Sequence, residues 1–208
     1  APPTLAPTGT STATPTATPA PAYAVRVNAG GGRYADREGN VWQADRGYTA
    51  GGWGFVGGQT YQVTRPISGT EDDPLYQSER FNLSGYRFDL PDGRYQVTLG
   101  FAELYYSSVG LRVFDVKIEG WTVLQDLDVV RLAGGRDIAL DRSFTVDVTD
   151  GQLAIDFVSK KAAPKINAMA IVSLFTEQAT PTATASWTAP VPPAPSASPT
   201  ATLSATGT

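Results

Sequence analysis

The sequence predicts an all-β fold, a two-sheet antiparallel β-sandwich with jelly-roll topology between two disordered tails. Three observations carry this prediction. Short runs rich in β-branched and aromatic residues recur through the middle of the chain, mostly alternating apolar with polar as half-buried strands do. Asp92-Gly93, Glu119-Gly120 and Asp150-Gly151 fall between neighbouring runs and read as hairpin-type turns, because glycine adopts positive φ without steric cost. Helical periodicity is nearly absent, and regular strand spacing with turn signals is the pattern of a sandwich.

In chain order, the expected strands are residues 23–28, 85–90, 95–103, 112–118, 121–124, 143–148, 153–158 and 166–174. Only residues 127–132 could form a short helical turn, which Gly134-Gly135 would end. Residues 29–75 differ from the rest. Their glycines are dense and Tyr34, Trp42, Tyr48, Trp53, Phe55 and Tyr61 recur among them, so long shaped loops with aromatic inserts are expected. About half of these rings, Trp42 foremost, are expected to cap the sandwich rather than contact a partner.

Composition sets the domain limits. Residues 1–22 carry no charge, and Glu177 is the only charge in residues 176–208; Pro, Thr, Ser and Ala dominate both. Twelve of the sixteen prolines lie in these tails, whereas twenty of the twenty-one aromatic residues lie between Tyr23 and Phe175. Only the middle can therefore offset the entropy of ordering, and the expected division is a linker at 1–22, a sandwich at 23–175 and a second linker at 176–208. Pro/Thr/Ser linkers of this kind suggest a secreted or surface modular protein, with neighbouring catalytic or adhesion modules joined through them. With no charged-then-apolar opening, an exported protein of this sequence is expected to be a processed piece.

The chain has no Cys and no His, which removes disulfide scaffolding, thiol chemistry, the usual zinc sites and histidine-based catalysis. Carboxylates are the catalytic groups left. A net charge of -4 argues against nucleic acid as the main partner, and no apolar run approaches a membrane span. No cofactor is expected. Residues 36–40 and 71–73 offer loop oxygens to a cation such as calcium, but no calcium-loop spacing is present and no metal ligand is assigned.

Tyr105 and Tyr106 are adjacent at the end of a strand-like run and precede Ser107, Ser108 and Gly110. Neighbouring strand residues point to opposite faces, so two adjacent rings can share a surface only where the strand gives way to a loop. Such amphipathic rings at a polar loop suggest a stacking surface.

Six blocks then stand in order: VNAGG at 27–31, LYQSERF at 75–81, FAELYY at 101–106, VFDVKIEG at 113–120, LQDLDV at 124–129 and PKINAMAI at 164–171. Together they resemble the malectin domain family. That resemblance implies a galactose-binding-like jelly roll that binds carbohydrate, glucose-containing oligosaccharide or polysaccharide in particular, on loops at one end of the sandwich. It also implies a site of four aromatic residues and one aspartate. Phe81 matches a family tyrosine, keeping the stacking face without the hydroxyl, and Tyr105 and Tyr106 match an adjacent aromatic pair. A further tyrosine falls in the glycine-rich region, where Phe55 and Tyr61 are the candidates and Tyr48 a further wall. The aspartate falls at Ala162, so a hydroxyl network built on it would lack one acceptor.

Around these rings, Glu79 and Arg80 are adjacent and should face opposite ways, one of them tucked beneath the loops. Glu103 shares a face with Tyr105 and either accepts sugar hydroxyls or pairs with Arg112. Asp115, Asp126, Asp128 and Asp141 read as solvated or turn-capping groups. The expected carbohydrate-binding residues are therefore Phe81, Tyr105, Tyr106, Tyr61, Phe55, Tyr48, Glu103 and Arg80. Two other readings remain open: a protein or peptide interaction module on the same fold, and a glycoside hydrolase using Glu79 and Glu103, since that chemistry needs only two suitably spaced carboxylates.

Overall fold

Two six-stranded sheets form the sandwich in the computed structural model, which describes residues 23–174. The tails at 1–22 and 176–208, and Phe175 at the expected boundary, lie outside the described residues. One sheet runs β2 (Tyr34–Ala35), β3 (Val41–Ala44), β1 (Ala24–Asn28), β12 (Ala168–Ser173), β6 (Gly93–Phe101), β9 (Leu140–Val148). The other runs β11 (Lys165–Ile166), β5 (Ser78–Asp89), β10 (Gln152–Lys161), β7 (Val113–Ile118), β8 (Trp121–Leu127), with β4 (Trp53–Gln62) paired along β5. Pairing between these strands is antiparallel except for a two-residue parallel contact of β1 with β3.

The core follows from alternation. Tyr95, Val97, Leu99 and Phe101 of β6 are almost fully buried, and they pack with Phe114, Val116 and Ile118 of β7 and Leu153, Ile155 and Phe157 of β10. Each such side chain contributes about 2 kcal/mol relative to exposure. The expected helical turn is α1 (Val129–Ala133): Asp128 caps it through the amide of Arg131, and Gly134 at φ 88° ends it.

Two expectations are corrected. Of the three Asp/Glu-Gly dipeptides, only Glu119-Gly120 closes a hairpin, between β7 and β8. Asp92-Gly93 and Asp150-Gly151 instead carry the chain from one sheet to the other, since β5 and β10 lie in one sheet and β6 and β9 in its partner. These two crossings meet: Gly151 N donates to Asp92 Oδ1 at 2.8 Å and Leu90 N to Gly151 O at 3.0 Å. Local turn chemistry is the same in both settings, so the dipeptide could not distinguish them.

Residues 29–75, expected as long loops, also hold the ten-residue strand β4. Glycine serves there to let strands approach and bulge. Gly58 has φ 91°, and a Cβ on it would stand 2.8 Å from the Phe81 carbonyl oxygen, while the register shifts by one between Val56 and Gly57. That pairing carries β4 to the end of the sandwich opposite the two crossings and sets Tyr61 across from Glu79.

At the crossing end, Asp89 accepts from Gln152 Nε2 at 2.7 Å, the Tyr48 hydroxyl at 2.9 Å and Gly51 N at 2.6 Å. The Gln152 amide foremost, with Tyr48 and the backbone amides of Gly51 and Gly52, holds the Asp89 carboxyl below its ordinary range against partial desolvation. A carboxyl depressed on folding stabilises fully above its unfolded value of about 4, and that contribution is lost as pH falls through the folded value. The thermal midpoint is therefore expected to drop between about pH 5 and pH 2, less steeply in Asp89→Asn; melts followed by circular dichroism would show it, and parallel curves would remove Asp89 from the account.

Candidate functional site

The strand ends opposite the crossings enclose a cavity of about 300 Å³ lined by Tyr61, Glu79, Phe81, Tyr105, Tyr106, Arg112 and Ala163. The lining residues arrive from several separate parts of the fold. Tyr61 ends β4 and pairs in register with Glu79 of β5, and Phe81 follows two residues on, facing Lys165 of β11. Tyr105 and Tyr106 lie just past the end of β6, where their rings meet edge-to-face at 5.0 Å, and Tyr61 meets Tyr105 the same way at 6.2 Å. Tyr105 is 62 % exposed, unusual for so large a ring in a folded domain, while Phe81 and Tyr106 are half-buried.

Beneath the rings lies a buried chain of alternating charge. Lys165, which is 0 % exposed, donates to Glu79 Oε2 at 2.5 Å and to the carbonyl of Ala102. The other Glu79 oxygen faces Arg112 Nη1 at 3.5 Å, and Arg112 Nε faces Glu103 Oε2 at 3.3 Å. Glu103 Oε1 then accepts from the backbone amides of Tyr105 at 2.9 Å and Tyr106 at 3.0 Å. Full burial pushes the Lys165 ammonium below its ordinary value, opposed by the fields of Glu79 and Glu103. Arg112 also lies over the Tyr106 ring, 5.1 Å from its centroid.

The expected site residues divide. Phe81, Tyr105, Tyr106 and Tyr61 come together at the cavity. Tyr48 is instead at the crossing end, bonded to Asp89. Phe55 packs edge-to-face on Tyr86 and is covered by the Arg80 guanidinium 3.3 Å from its centroid, and Arg80 Nε is held by Asp45 Oδ2 at 2.6 Å. Tyr86 and Gly30 also donate to Asp45, so Arg80 and Phe55 belong to a buried clasp between β4, β5 and the loop after β1. Glu79 and Arg80 do face separate partners, and Glu103 takes the Arg112 pairing of its two alternatives. Ala162, at φ 57°, sits in the loop after β10 beside the cavity-lining Ala163.

Sequence reasoning did not single out Lys165 or Ala163, and it gave Arg112 only as a partner for Glu103. Lys165 carried only a partial signal, as a lysine at the head of an apolar run whose burial would require a carboxylate partner. Among the nearby aspartates, Asp128 caps α1 as expected, whereas Asp115 is neither solvated nor turn-capping: it accepts from Asp126 N and pairs with Lys160. Asp141 accepts from the Tyr76 hydroxyl at 2.6 Å. The oxygens of residues 36–40 are taken by Asn40 and Trp42, Asp72 accepts from Tyr34, and among the described residues no acidic group is arranged to hold a metal. Trp42 is half-buried, whereas Trp53 is buried in the main core.

Fold and site together define a β-sandwich domain with an aromatic cavity built on the loops at one end. Residues 23–180 match the family model described as the Malectin domain, and the chain belongs to the malectin family. Malectin-B of Xenopus laevis is 34% identical over 135 residues, covering 62% of this chain and 47% of that protein, so the chain spans just under half the length of this relative. Among solved structures, the Bacteroides uniformis β-glucuronidase matches with TM-score 0.69 and 27% identity over 74% of this chain and 18% of its own. The ANX2 ectodomain from Arabidopsis thaliana shares the fold, with TM-score 0.61 and 19% identity over 74% of this chain and 50% of its own.

Removing one partner from a buried ion pair leaves a charge uncompensated. Lys165→Met is expected to lower unfolding free energy by about 3 to 5 kcal/mol, and Lys165→Met with Glu79→Met to recover part of it, as measured by urea denaturation. A loss under about 1 kcal/mol would show that the chain of charges carries no structural weight.

Proposed function

We propose that the domain is a non-catalytic carbohydrate-binding module of a secreted or surface protein, taking glucose-containing oligosaccharide or polysaccharide in the Tyr61, Phe81, Tyr105, Tyr106 cavity. The observation that carries this reading is the convergence of four rings from three separate segments on one open cavity. A pyranose presents a C-H face that packs on aromatic rings and an edge of hydroxyls that needs hydrogen-bond partners. Here the rings supply the first, and the tyrosyl hydroxyls with Arg112 supply the second. Family membership and the place of a similar domain within a larger β-glucuronidase support it.

Stacking contacts of about 1 kcal/mol each, partly offset by lost ligand freedom, imply a dissociation constant on the order of 10 μM to 1 mM. Linked modules would raise the apparent affinity through effective concentration, which gives the Pro/Thr-rich tails a purpose. Among the described residues no helix is long and apolar enough to cross a membrane. As a glycosidase pair, Glu79 and Glu103 are poorly placed: each oxygen of both lies against a cation or a backbone amide, and both side chains are sealed from solvent.

A glycan array probed with the protein is expected to show glucose-containing ligands. Tyr105→Ala should weaken their binding at least about tenfold while changing unfolding free energy by under about 0.5 kcal/mol, because the ring is exposed. An array without signal, together with a defined protein partner recovered by the same surface, would replace this reading with the peptide-interaction one. Release of reducing sugar from a glucan panel, abolished in Glu79→Gln, would replace it with an enzyme.

A further inference from the structure

Trp121 is 79 % exposed, the most exposed of the large apolar side chains among the described residues. It opens β8 and stands opposite the buried Ile118 in the β7–β8 register, so it lies on the face of the sheet that elsewhere builds the core. It is nevertheless left to water. β8 and β9 are the outer strands of the two sheets, and a groove of about 360 Å³ takes its lining from both, at the end where Asp147 of β9 pairs in register with Arg94. Ile118, Val123 and Val146 give this groove apolar surface, Trp121 gives it an open indole, and Glu119, Thr145 and Asp147 give it oxygens.

Leaving so large a ring in water forgoes its burial, so a Trp kept at a groove points to a partner that covers it. The oxygens decide which partner. Glu119 Oε1 accepts from Ala154 N at 2.7 Å, which fixes the carboxyl and leaves Oε2 without a hydrogen bond, and Asp147 Oδ2 and the Thr145 hydroxyl are likewise unpartnered among the described residues. These are acceptors for hydroxyl protons, set beside an electron-rich ring that packs on C-H groups. A cation also suits a ring beside carboxylates, but the charges weigh against it. Asp147 Oδ1 already faces Arg94 Nε at 3.7 Å, and burial foremost pushes the Glu119 carboxyl above its ordinary range, so this end of the groove offers little negative field. A peptide strand added along β8 would need a regular edge, and two register shifts in the β7–β8 pairing distort it.

We propose that this groove is a second carbohydrate site, in which the C-H face of a neutral pyranose unit stacks on Trp121 while its hydroxyls donate to Glu119 Oε2 and Asp147 Oδ2. The inference goes beyond the tyrosine cavity and stands without it. β7 runs from Val113, next to the cavity-lining Arg112, to Ile118 in the groove, so the two sites are separated by the length of a six-residue strand, about 20 Å. One rigid domain would thus hold a polysaccharide at two places, and the second contact would be made at high effective concentration.

The test is a titration of the 208-residue protein with maltohexaose, cellohexaose, laminarihexaose, xylohexaose and mannohexaose, followed through the tryptophan indole N-H signals by NMR. Trp121 is assigned as the signal missing from Trp121→Phe. At least one hexasaccharide is expected to move that signal saturably below about 10 mM, and to do so equally in Tyr105→Ala, where the first cavity is disabled. By calorimetry in the Tyr105→Ala background, Trp121→Ala should weaken binding at least about tenfold with the thermal midpoint nearly unchanged, because the ring is exposed. Glu119→Gln, which keeps an acceptor for Ala154 N, should weaken it about threefold. A Trp121 signal unmoved by every hexasaccharide, while Tyr105-dependent binding persists, would overturn the second site and leave the first intact. A signal that moves in the unaltered protein but not in Tyr105→Ala would overturn it as well, as an effect relayed from the first cavity. Movement with a lysine-rich peptide and with none of the sugars would replace the saccharide by a cationic partner. Absence of any binding at Trp121 or at Tyr105, with a silent glycan array, would overturn both sites.

Discussion

The buried chain Lys165, Glu79, Arg112, Glu103 is the interaction on which the site depends. It draws its members from β11, β5, the approach to β7 and the segment after β6, and its last link is a pair of backbone amides rather than another side chain. Those amides belong to Tyr105 and Tyr106. The position of the exposed rings is thus set from below by electrostatics in a low-dielectric interior, where a misplaced charge is too costly to tolerate. Loops that would otherwise be free to vary are held to one geometry, as a weakly binding surface requires if ordering costs are not to consume its affinity.

Around this chain, buried amides perform the same office for the backbone. Asn167 stands where the chain passes from β11 in one sheet to β12 in the other; its Oδ1 accepts from Ala102 N and its Nδ2 donates to the carbonyls of Tyr76 and Ser78. Ser78 in turn donates to Asn28 Oδ1, and Asn28 Nδ2 to the Gly32 carbonyl. Four of the six family blocks therefore meet in one polar network. Most of their charged and amide residues are fastenings, and the block residues that face the cavity are aromatic apart from Glu79.

The sandwich also keeps its two ends separate in kind. At the crossing end, Asp92, Asp89 and Gln152 bond the sheet-to-sheet connections to one another. At the cavity end, the strand ends gather rings around an open cavity, with the Arg112 guanidinium held between Glu79 and Glu103 at its wall. One fold thus places its rigid connections far from its binding loops, so loop chemistry can change without disturbing the topology.

What the sequence by itself determined was the class of fold and the place of the tyrosine pair. Alternation in β6, β7 and β10 marked the core faces because side-chain direction in a strand has period two, and Asp128 with Gly134 bounded α1 through local backbone chemistry alone. The adjacent rings of Tyr105 and Tyr106 signalled a loop by the same rule. Tertiary structure alone decided that Tyr61 joins them while Tyr48 and Phe55 do not, that Asp92-Gly93 and Asp150-Gly151 cross between sheets, and that Lys165 is buried under the site. These depend on pairings such as Tyr61 with Glu79 and Lys165 with Phe81, 18 and 84 residues apart. A glycine-rich strand with a bulge has no clean alternation from which such a register could be read, so its partner strand decides which rings reach the cavity.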